Sequence, residues 1–288
     1  MSYLNTLQDI SSQVGNVVCM GLDPKVEVLP LAEGMDLRER VNDYFNQLFH
    51  RMVLSGLFPS AFKPNIGYYQ SLDKPRDEDF TGSLLLCDVL DMLDAFFPGV
   101  PVILDSKRGD IARSSLNYAT EAFDCWHTDA VTVSPYMGSD SVSPFFVENK
   151  GIYVLNRTSN PGGADLQSLL LQDGTPLYLS VAKTIVGWAE QHPGLGAVVG
   201  ATNMEELGNL ASFYADKDIP LLIPGVGSQG GSASDVMKTL QSKGYPVKLA
   251  RINSSSGLTH PWKKGEAPED WLDLCMDNLK SLIEEASV

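Results

Sequence analysis

Short apolar segments alternate with amphipathic ones along all 288 residues, and this alternation predicts an α/β fold built as a (β/α)8 barrel. The apolar segments show little polar alternation, which is typical of strands buried on both faces of a parallel sheet. No segment rich in proline, glycine or serine divides the chain, so we expect a single barrel domain over residues 1–288. A doubly wound open sheet has the same order of elements and stays the alternative, because periodicity does not show closure.

Eight segments have the composition and length of strands, in the order 16–22, 60–63, 100–105, 130–133, 151–155, 197–200, 220–223 and 247–252. Apolar residues spaced by three and four predict helices over 40–55, 84–97, 177–189 and 271–283. Residues 202–205 have the pattern of a capping box that opens a further helix. Each predicted strand ends in polar or glycine-rich sequence, and in a barrel these ends gather on the face that carries active sites.

The composition favours a soluble, cytoplasmic protein. A net charge of −15 argues against nucleic acid and anionic membrane as partners, although a small anionic ligand responds to local charge in a cleft. No apolar run approaches the ~18 residues needed to cross a bilayer, and the amino-terminal residues do not have the pattern of a secretory signal. The cysteines form no CxxC pair and the histidines no HxH or HExxH pattern, so we expect buried free thiols and no metal site.

The most informative segment is the charged cluster that follows the apolar run 100–104. It places Asp105, Lys107 and Asp110 within six positions. In an extended chain residues i and i+2 point to the same side, so Asp105 and Lys107 are expected to face the barrel mouth together. An isolated pair of this kind favours an ion pair that caps a strand, but three charges among other polar strand ends favour a catalytic site. A protonated lysine beside a carboxylate that repels an anionic substrate is suited to expelling CO2.

Two other predicted strands end in charged residues that would face the same mouth. Lys63 follows a short apolar segment and precedes a proline, which biases it towards an extended conformation. Asp23 ends the first predicted strand and also precedes a proline. Taken alone, Lys63 could equally be a site residue or a surface lysine at the start of a loop. Asp23 could equally be a ligand-binding residue or an ordinary turn residue.

A glycine-rich segment over 223–232 follows the seventh predicted strand. It contains Pro224, Gly225, Gly227 and Gln229. Glycine lets backbone N–H groups approach an anion closely, and the loops after strands seven and eight often bind phosphate in barrels. The segment therefore predicts a phosphate site, and residues 225–231 are the best candidate for a lid over it.

Together these motifs resemble the orotidine 5′-phosphate decarboxylase family in its longer bacterial form, over nearly the whole chain. The motifs are Gly-Leu-Asp-Pro at 21–24, Phe-Lys-Pro-Asn at 62–65, Asp-Ser-Lys-Arg-Gly-Asp-Ile at 105–111, Arg-Thr-Ser-Asn-Pro at 157–161, Gly-Ala-Thr at 200–202 and Pro-Gly-Val-Gly-Ser-Gln-Gly-Gly at 224–231. The resemblance implies a homodimeric barrel enzyme of pyrimidine biosynthesis. This carboxy-lyase would convert orotidine monophosphate to UMP and CO2 without metal or organic cofactor.

The same resemblance implies roles for individual residues. Lys63, Asp105, Lys107 and Asp110 would form an alternating charged network. In it, Asp105 would face the substrate carboxylate, Lys107 would protonate the carbon that loses CO2, and Asp110 would reach into the partner subunit's site. Further substrate contacts are implied at Asp23 and Lys63 for the ribose, Ser159 for the pyrimidine, Ser114 for the ribose of the neighbouring site, Gln229 and the 225–227 backbone for the phosphate, and also at Ile111, Pro224, Ser255 and Ser256.

One position departs from the family pattern. The family commonly places an arginine on the phosphate in the loop after the last strand, where this chain has Ser256. Arg251, Lys263 and Lys264 are the candidates to replace it.

Two other classes of function stay open. One is another phosphosugar decarboxylase or aldol-type lyase, which would need a divalent ion or a Schiff-base lysine, and the other is a non-catalytic nucleotide-binding barrel.

Overall fold

The computed structural model describes residues 1–30, 34–227, 230–262 and 264–288. Eight strands form one sheet in which all neighbouring strands are parallel, in the order β2-β1-β8-β7-β6-β5-β4-β3. The strands are β1 (Val18–Leu22), β2 (Ala61–Pro64), β3 (Ile103–Arg108), β4 (Ala130–Val133), β5 (Gly151–Arg157), β6 (Leu195–Val199), β7 (Leu221–Ile223) and β8 (Ala250–Ser254).

The sheet closes into a nearly complete barrel, because its two edge strands meet. Single parallel bridges join Phe62 to Val102 and Asn65 to Asp105. The predicted (β/α)8 barrel is therefore confirmed, and the open doubly wound sheet was the wrong alternative. All predicted strands exist, but β3 continues to Arg108, beyond the predicted end at Asp105.

Helices follow the strands and surround the barrel. Their bounds are α1 (Tyr3–Val14), α2 (Leu37–Ser55), α3 (Ile66–Gln70), α4 (Thr81–Phe96), α5 (Ala112–Thr120), α6 (Ser139–Val142), α7 (Ala164–Gln167), α8 (Leu177–Ala189), α9 (Met204–Tyr214), α10 (Ala233–Ser242), α11 (Ser256–Thr259) and α12 (Trp271–Glu285). Short 3-10 turns lie at Pro75–Asp77, Ser143–Phe145, Pro161–Gly163 and Val247–Leu249, and a π-helical turn, Glu121–Cys125, continues α5. Among the helices of the described ranges, none is long and apolar enough to cross a membrane.

The four helices predicted from periodicity are present within a few residues of their predicted bounds. The predicted capping box at 202–205 is displaced by one residue, since the side chain of Asn203 accepts the hydrogen bond from the Glu206 N–H and caps α9. All four cysteines are free thiols, but Cys87 and Cys125 are exposed, contrary to the expected burial. In α4 the buried positions are taken by neighbouring leucines and a valine, and the thiol of Cys87 turns to solvent.

Helix α1, which the periodicity analysis did not predict, packs against the amino-terminal ends of β5 and β8. The Tyr3 hydroxyl donates a hydrogen bond to the Tyr153 hydroxyl at 3.1 Å, and the Tyr3 ring lies over Gly151. A Cβ at Gly151 would lie 2.3 Å from that ring, so only glycine fits this close approach. Helix α1 therefore covers the amino-terminal ends of β5 and β8.

Candidate active site

A cavity of about 540 Å³ occupies the carboxyl-terminal mouth of the barrel. Its floor is a ring of eight residues, one from each strand. Each of these residues lies within its strand or, for β1, directly after the strand ends. Five neighbouring positions of the ring are polar and three are apolar. In order from β8 the ring is Asn253, Asp23, Lys63, Asp105, Thr132, Leu155, Val198 and Leu222. A ligand on this floor therefore meets charge on one side and hydrocarbon on the other.

Asp105 is the centre of the charged half. Its carboxylate accepts hydrogen bonds from Lys63 Nζ at 2.8 Å, Lys107 Nζ at 2.6 Å and Thr132 Oγ1 at 2.9 Å. Lys63 and Asp105 are both buried, whereas the side chain of Lys107 is 49% exposed and lies on the cavity side. The structure thus brings together three of the four predicted network residues.

The buried pair holds its charges because each group stabilises the other. Burial alone would raise the pKa of Asp105, but the ammonium groups of Lys63 and Lys107 outweigh it and hold that pKa well below the ordinary value. Burial alone would lower the pKa of Lys63, but Asp105 and the nearby Asp23 outweigh it and raise that pKa above the ordinary value. At neutral pH the floor therefore carries a fixed row of alternating charges.

Lys107 meets Asp105 through a bend in β3. The backbone of Lys107 is left-handed, with φ of +45°, and the pairing of β3 with β4 shifts register between Leu104 and Arg108. The Lys107 N–H donates to Thr132 Oγ1 at 2.9 Å, which fixes the bend on β4. The predicted approach of Asp105 and Lys107 is confirmed, but simple strand alternation was the wrong reason for it.

Arg108 is clamped directly after this bend. Its guanidinium donates to the two carboxylate oxygens of Glu121 at 3.1 and 3.2 Å and lies 4.9 Å from the centre of the Tyr118 ring. Glu121 is the first residue of the π-helical turn, a rare geometry that often accompanies functional sites. The turn therefore ties α5 to the strand end that carries Lys107.

Asp23 lies at the edge of the floor beside the end of β8. Its carboxylate accepts hydrogen bonds from Ser255 Oγ at 2.6 Å and from the backbone N–H of Asn65 at 3.1 Å. Gly21 permits this approach, because a Cβ there would lie 2.6 Å from Ser255 Cβ. Predicted residues Asp23 and Ser255 thus line the cavity as a hydrogen-bonded pair.

Asp110, Ile111 and Ser114 are not among the residues that line this cavity. The Asp110 carboxylate accepts a hydrogen bond from the Ile111 N–H at 2.7 Å, and Ser115 Oγ donates to the Asp110 carbonyl oxygen. The Ser114 N–H donates to the Ile111 carbonyl, and the side chain of Ile111 is 55% exposed. Within one chain these three residues lie at and just before the start of α5, and Asp110 does not join the network of Asp105.

The glycine-rich segment forms the wall between β7 and β8. Pro224 and Gly225 line the main cavity, and Gly227 lines a neighbouring cavity of about 350 Å³ on the outer side of the loop. Gly225 and Gly227 have φ values of +101° and +82°, which favour glycine. The predicted phosphate ligand Gln229 lies outside the described residues.

No arginine is among the cavity-lining residues of the described chain, including those near the predicted phosphate site. Ser256 begins α11 and is not one of those residues. Arg251 was a wrong candidate for the missing guanidinium, because it is fully buried and donates to Leu7 O at 2.8 Å and Ser11 Oγ at 3.0 Å in α1. Lys264 is exposed and does not line the cavity, and Lys263 lies outside the described residues.

The segment between β5 and α8 contributes more of the cavity wall than the sequence predicted. Besides the predicted Ser159, its lining residues are Thr158, Asn160, Gly162, Gly163, Leu166 and Gln167. Gln167 Oε1 accepts hydrogen bonds from the Thr158 N–H and from Arg157, and this folds α7 back over the mouth. The sequence predicted only Ser159 of this wall, because only tertiary contacts show that the segment covers the cavity.

The fold and the floor define a (β/α)8-barrel protein with a lysine–aspartate–lysine site at the carboxyl ends of its strands. The chain belongs to the orotidine 5′-phosphate decarboxylase / HUMPS family, whose model matches residues 59–244. This confirms the resemblance seen in the motifs.

Named relatives and solved structures agree with that membership. The chain is 36% identical to the orotidine 5′-phosphate decarboxylase of Bordetella avium, over 98% of this chain and 97% of that protein. It is 38% identical to that of Delftia acidovorans, over 90% of both chains. The structure of Leishmania donovani OMP decarboxylase aligns with a TM-score of 0.76 and 28% identity over 99% of each chain.

Proposed function

We propose that this protein is a carboxy-lyase that converts orotidine 5′-phosphate to UMP and CO2. The observation that carries the proposal is the placement of Asp105 between Lys63 and Lys107 on the floor of the mouth cavity. Relatives that match nearly the whole chain are named for the decarboxylase. The cavity of about 540 Å³ is of the size that holds a small-molecule ligand.

The reaction breaks the bond between the ring carbon and its carboxylate. The electron pair of that bond stays on the ring carbon, CO2 leaves, and the carbon takes a proton. Lys107 is proposed to stabilise the developing negative charge and to donate that proton from its ammonium group. Asp105 is proposed to face the departing carboxylate. Lys63, held protonated by Asp105 and Asp23, keeps Asp105 ionised and its carboxylate in place.

The remaining cavity residues are proposed to bind the nucleotide. Asp23 and Lys63 would bind the ribose, and Ser159 would contact the pyrimidine from the β5–α8 wall. Pro224 and the backbone at 225–227 would hold the phosphate, together with Gln229 and the hydroxyls of Ser255 and Ser256. Hydroxyls and amides bind phosphate without the bidentate fork of an arginine, so this end is the weakest part of the proposed site.

The test is the loss of orotidine 5′-phosphate absorbance in buffer that contains EDTA. Wild-type protein should turn over without added metal, whereas Lys107→Ala should lose about 10³-fold or more in kcat and still bind UMP. Lys280→Ala, an exposed lysine on α12, is the matched control and should keep full activity. A flat trace from folded wild-type protein refutes the proposed function, and near-normal turnover by Lys107→Ala refutes the role of that lysine.

We also propose that the protein is a homodimer in which Asp110, Ile111 and Ser114 complete the partner's site. The rim that holds them is apolar and exposed: Ile111 is 55% and Tyr136 84% exposed, and Leu116 lines a groove of about 330 Å³ beside α5. Such a patch is typical of a protein interface. Dimer formation through this patch would bury the apolar rim and place Asp110 of each subunit next to the cavity of the other.

Mixing two inactive variants tests the shared site. In the proposed dimer each site takes Lys107 from one subunit and Asp110 from the other. A mixed dimer of Lys107→Ala and Asp110→Ala therefore has one site with both native residues and one site with both substitutions. After denaturation and co-refolding in equal amounts, about one quarter of wild-type activity should return. Leu116→Glu should give an inactive monomer by sedimentation, whereas Leu54→Glu, on exposed α2 surface, should stay dimeric. A stable, fully active monomer contradicts this proposal.

A further inference from the structure

Thr132 is the residue of β4 that faces the bend in β3. The parallel ladder pairs Leu104 with Val131 and Arg108 with Val133, so the three residues of β3 between these pairs lie opposite a single residue of β4. That residue is Thr132, which is buried and lines the mouth cavity. A bulge of this kind re-aims a side chain, but it takes backbone groups out of the regular ladder. The displaced groups of β3 therefore need partners of another kind.

The Thr132 hydroxyl provides such a partner and closes a cycle of hydrogen bonds around Lys107. Its Oγ1 accepts from the Lys107 N–H at 2.9 Å and donates to Asp105 Oδ1, also at 2.9 Å. The same Oδ1 accepts from Lys107 Nζ at 2.6 Å. A backbone N–H can only donate and an ionised carboxylate can only accept, so the hydroxyl proton must point to Asp105. One hydroxyl thus holds both the backbone of Lys107 and the oxygen to which its ammonium bonds.

Lys107 depends on this cycle more than the other charged groups of the floor do. Lys63 and Asp105 are buried, whereas half of the Lys107 side chain is exposed. The backbone of Lys107 has φ of +45°, a conformation that non-glycine residues keep only where their surroundings hold it. A flexible four-carbon stem on such a backbone is placed precisely only if both of its ends are held.

We propose that Thr132 is a positioning residue, whose hydroxyl holds the bend in β3 and thereby sets the Lys107 ammonium against the reacting carbon. The proposal rests on the proposed function for the identity of the reaction. Misplacing a catalytic group by about 1 Å can cost about 10²-fold in rate. An interaction that acts only on the placement of the proton donor changes kcat and leaves the binding of the nucleotide unchanged.

The experiment begins with Thr132→Val, which replaces the hydroxyl by a methyl group of similar size. With orotidine 5′-phosphate its kcat should fall about 10- to 100-fold, while its calorimetric affinity for UMP should stay within about twofold of wild type. Thr132→Ser keeps the hydroxyl and should restore most of the lost kcat. Thr128→Val is the matched control, because Thr128 is buried outside the cavity and its hydroxyl donates to Ala122 O at 2.9 Å. It should keep wild-type kcat.

Amide hydrogen exchange followed by NMR examines the bend without turnover. The Lys107 N–H should exchange about tenfold or more faster in Thr132→Val than in wild type, because it has lost its acceptor, and Thr132→Ser should keep the wild-type rate. Thr132→Ala differs from Thr132→Ser by the hydroxyl alone. This pair repeats both measurements if the valine variant does not fold.

The proposal is overturned if Thr132→Val keeps wild-type kcat, or if Thr132→Ser loses as much kcat as the valine variant. It is also overturned if UMP affinity falls as much as kcat, since Thr132 would then bind the ligand directly, or if the Lys107 N–H exchanges at the wild-type rate. Wild-type protein that does not decarboxylate orotidine 5′-phosphate refutes the proposed function. In that case the exchange rate still decides whether Thr132 holds the bend.

Discussion

Replacing Asp105 by asparagine removes the charge at the centre of the floor and keeps the shape of the side chain. The carboxylate accepts hydrogen bonds from Lys63 at 2.8 Å, from Lys107 at 2.6 Å and from Thr132 at 2.9 Å. In the variant two ammonium groups would face a neutral amide, and Lys63, which is 4% exposed, has little access to water. We expect Asp105→Asn to be both inactive and less stable.

The loss of stability follows from the burial of the pair. Removing one partner of a buried ion pair typically destabilises a protein by about 3–5 kcal/mol, because the other charge stays desolvated. For a chain of this length about 1 kcal/mol corresponds to about 2 °C, so the thermal midpoint should fall by about 6–10 °C. Lys107 contributes little to this figure, since half of its side chain is exposed.

The pH dependence follows from the depressed pKa of Asp105. A carboxyl group whose pKa is lower in the folded state contributes stability above its unfolded pKa of about 3.9, and this is lost as pH falls through the folded value. The raised pKa of Lys63 acts in the opposite sense, so its contribution is lost only at alkaline pH above its unfolded pKa of about 10.4. The stability difference between wild type and variant should therefore be constant from about pH 5 to 9 and shrink below pH 4.

Urea unfolding followed by tryptophan fluorescence measures this difference at each pH. Asp9→Asn, at an exposed position of α1, is the matched control and should change the free energy of unfolding by less than about 0.5 kcal/mol. An Asp105→Asn variant that is as stable as wild type at pH 7 would refute the reasoning. So would a stability difference that stays constant down to pH 2.

Two further predictions concern the groups that position this floor. Glu121→Gln breaks the charged clamp on Arg108 and loosens the bend that carries the neighbouring lysine, so kcat should fall about tenfold at unchanged UMP affinity. Tyr118→Phe keeps the aromatic ring and should stay near wild type. An equal loss in UMP affinity would instead mean that Glu121 acts on binding. Gly21→Ala places a Cβ 2.6 Å from Ser255 Cβ, so calorimetric unfolding should show a loss of about 1–3 kcal/mol. An unchanged midpoint would contradict that tight contact.

Local sequence patterns predicted the elements and several site residues. Lys63 and Asp105 follow short apolar segments, and an end of a buried parallel strand is where a barrel exposes polar side chains. The glycines at 225 and 227 marked a glycine-rich turn after the seventh strand, and both have positive φ in the structure. These features depend on neighbours in the chain, so the amino-acid sequence alone reveals them.

Pairing between strands that are far apart in the sequence decided the remaining features of the site. Leu155, Val198 and Leu222 are ordinary strand residues in the sequence, and only the register of the closed barrel places them in one ring with Asp105. The same register separates Arg251 from Asn253, which share one face of β8 but lie towards opposite ends of it. Arg251 donates a hydrogen bond to α1, and Asn253 lines the cavity.

The sequence by itself therefore determined the order of eight strand–helix units and the charged groups at the strand ends, since strand periodicity and strand-end chemistry are local, whereas closure of the barrel depends on the pairing of β2 with β3. Only the tertiary structure decided that β3 bends at Lys107, that the β5–α8 segment covers the cavity and that Asp110 stays outside it. Each of these outcomes depends on contacts between residues far apart in the chain, and no local pattern encodes such contacts.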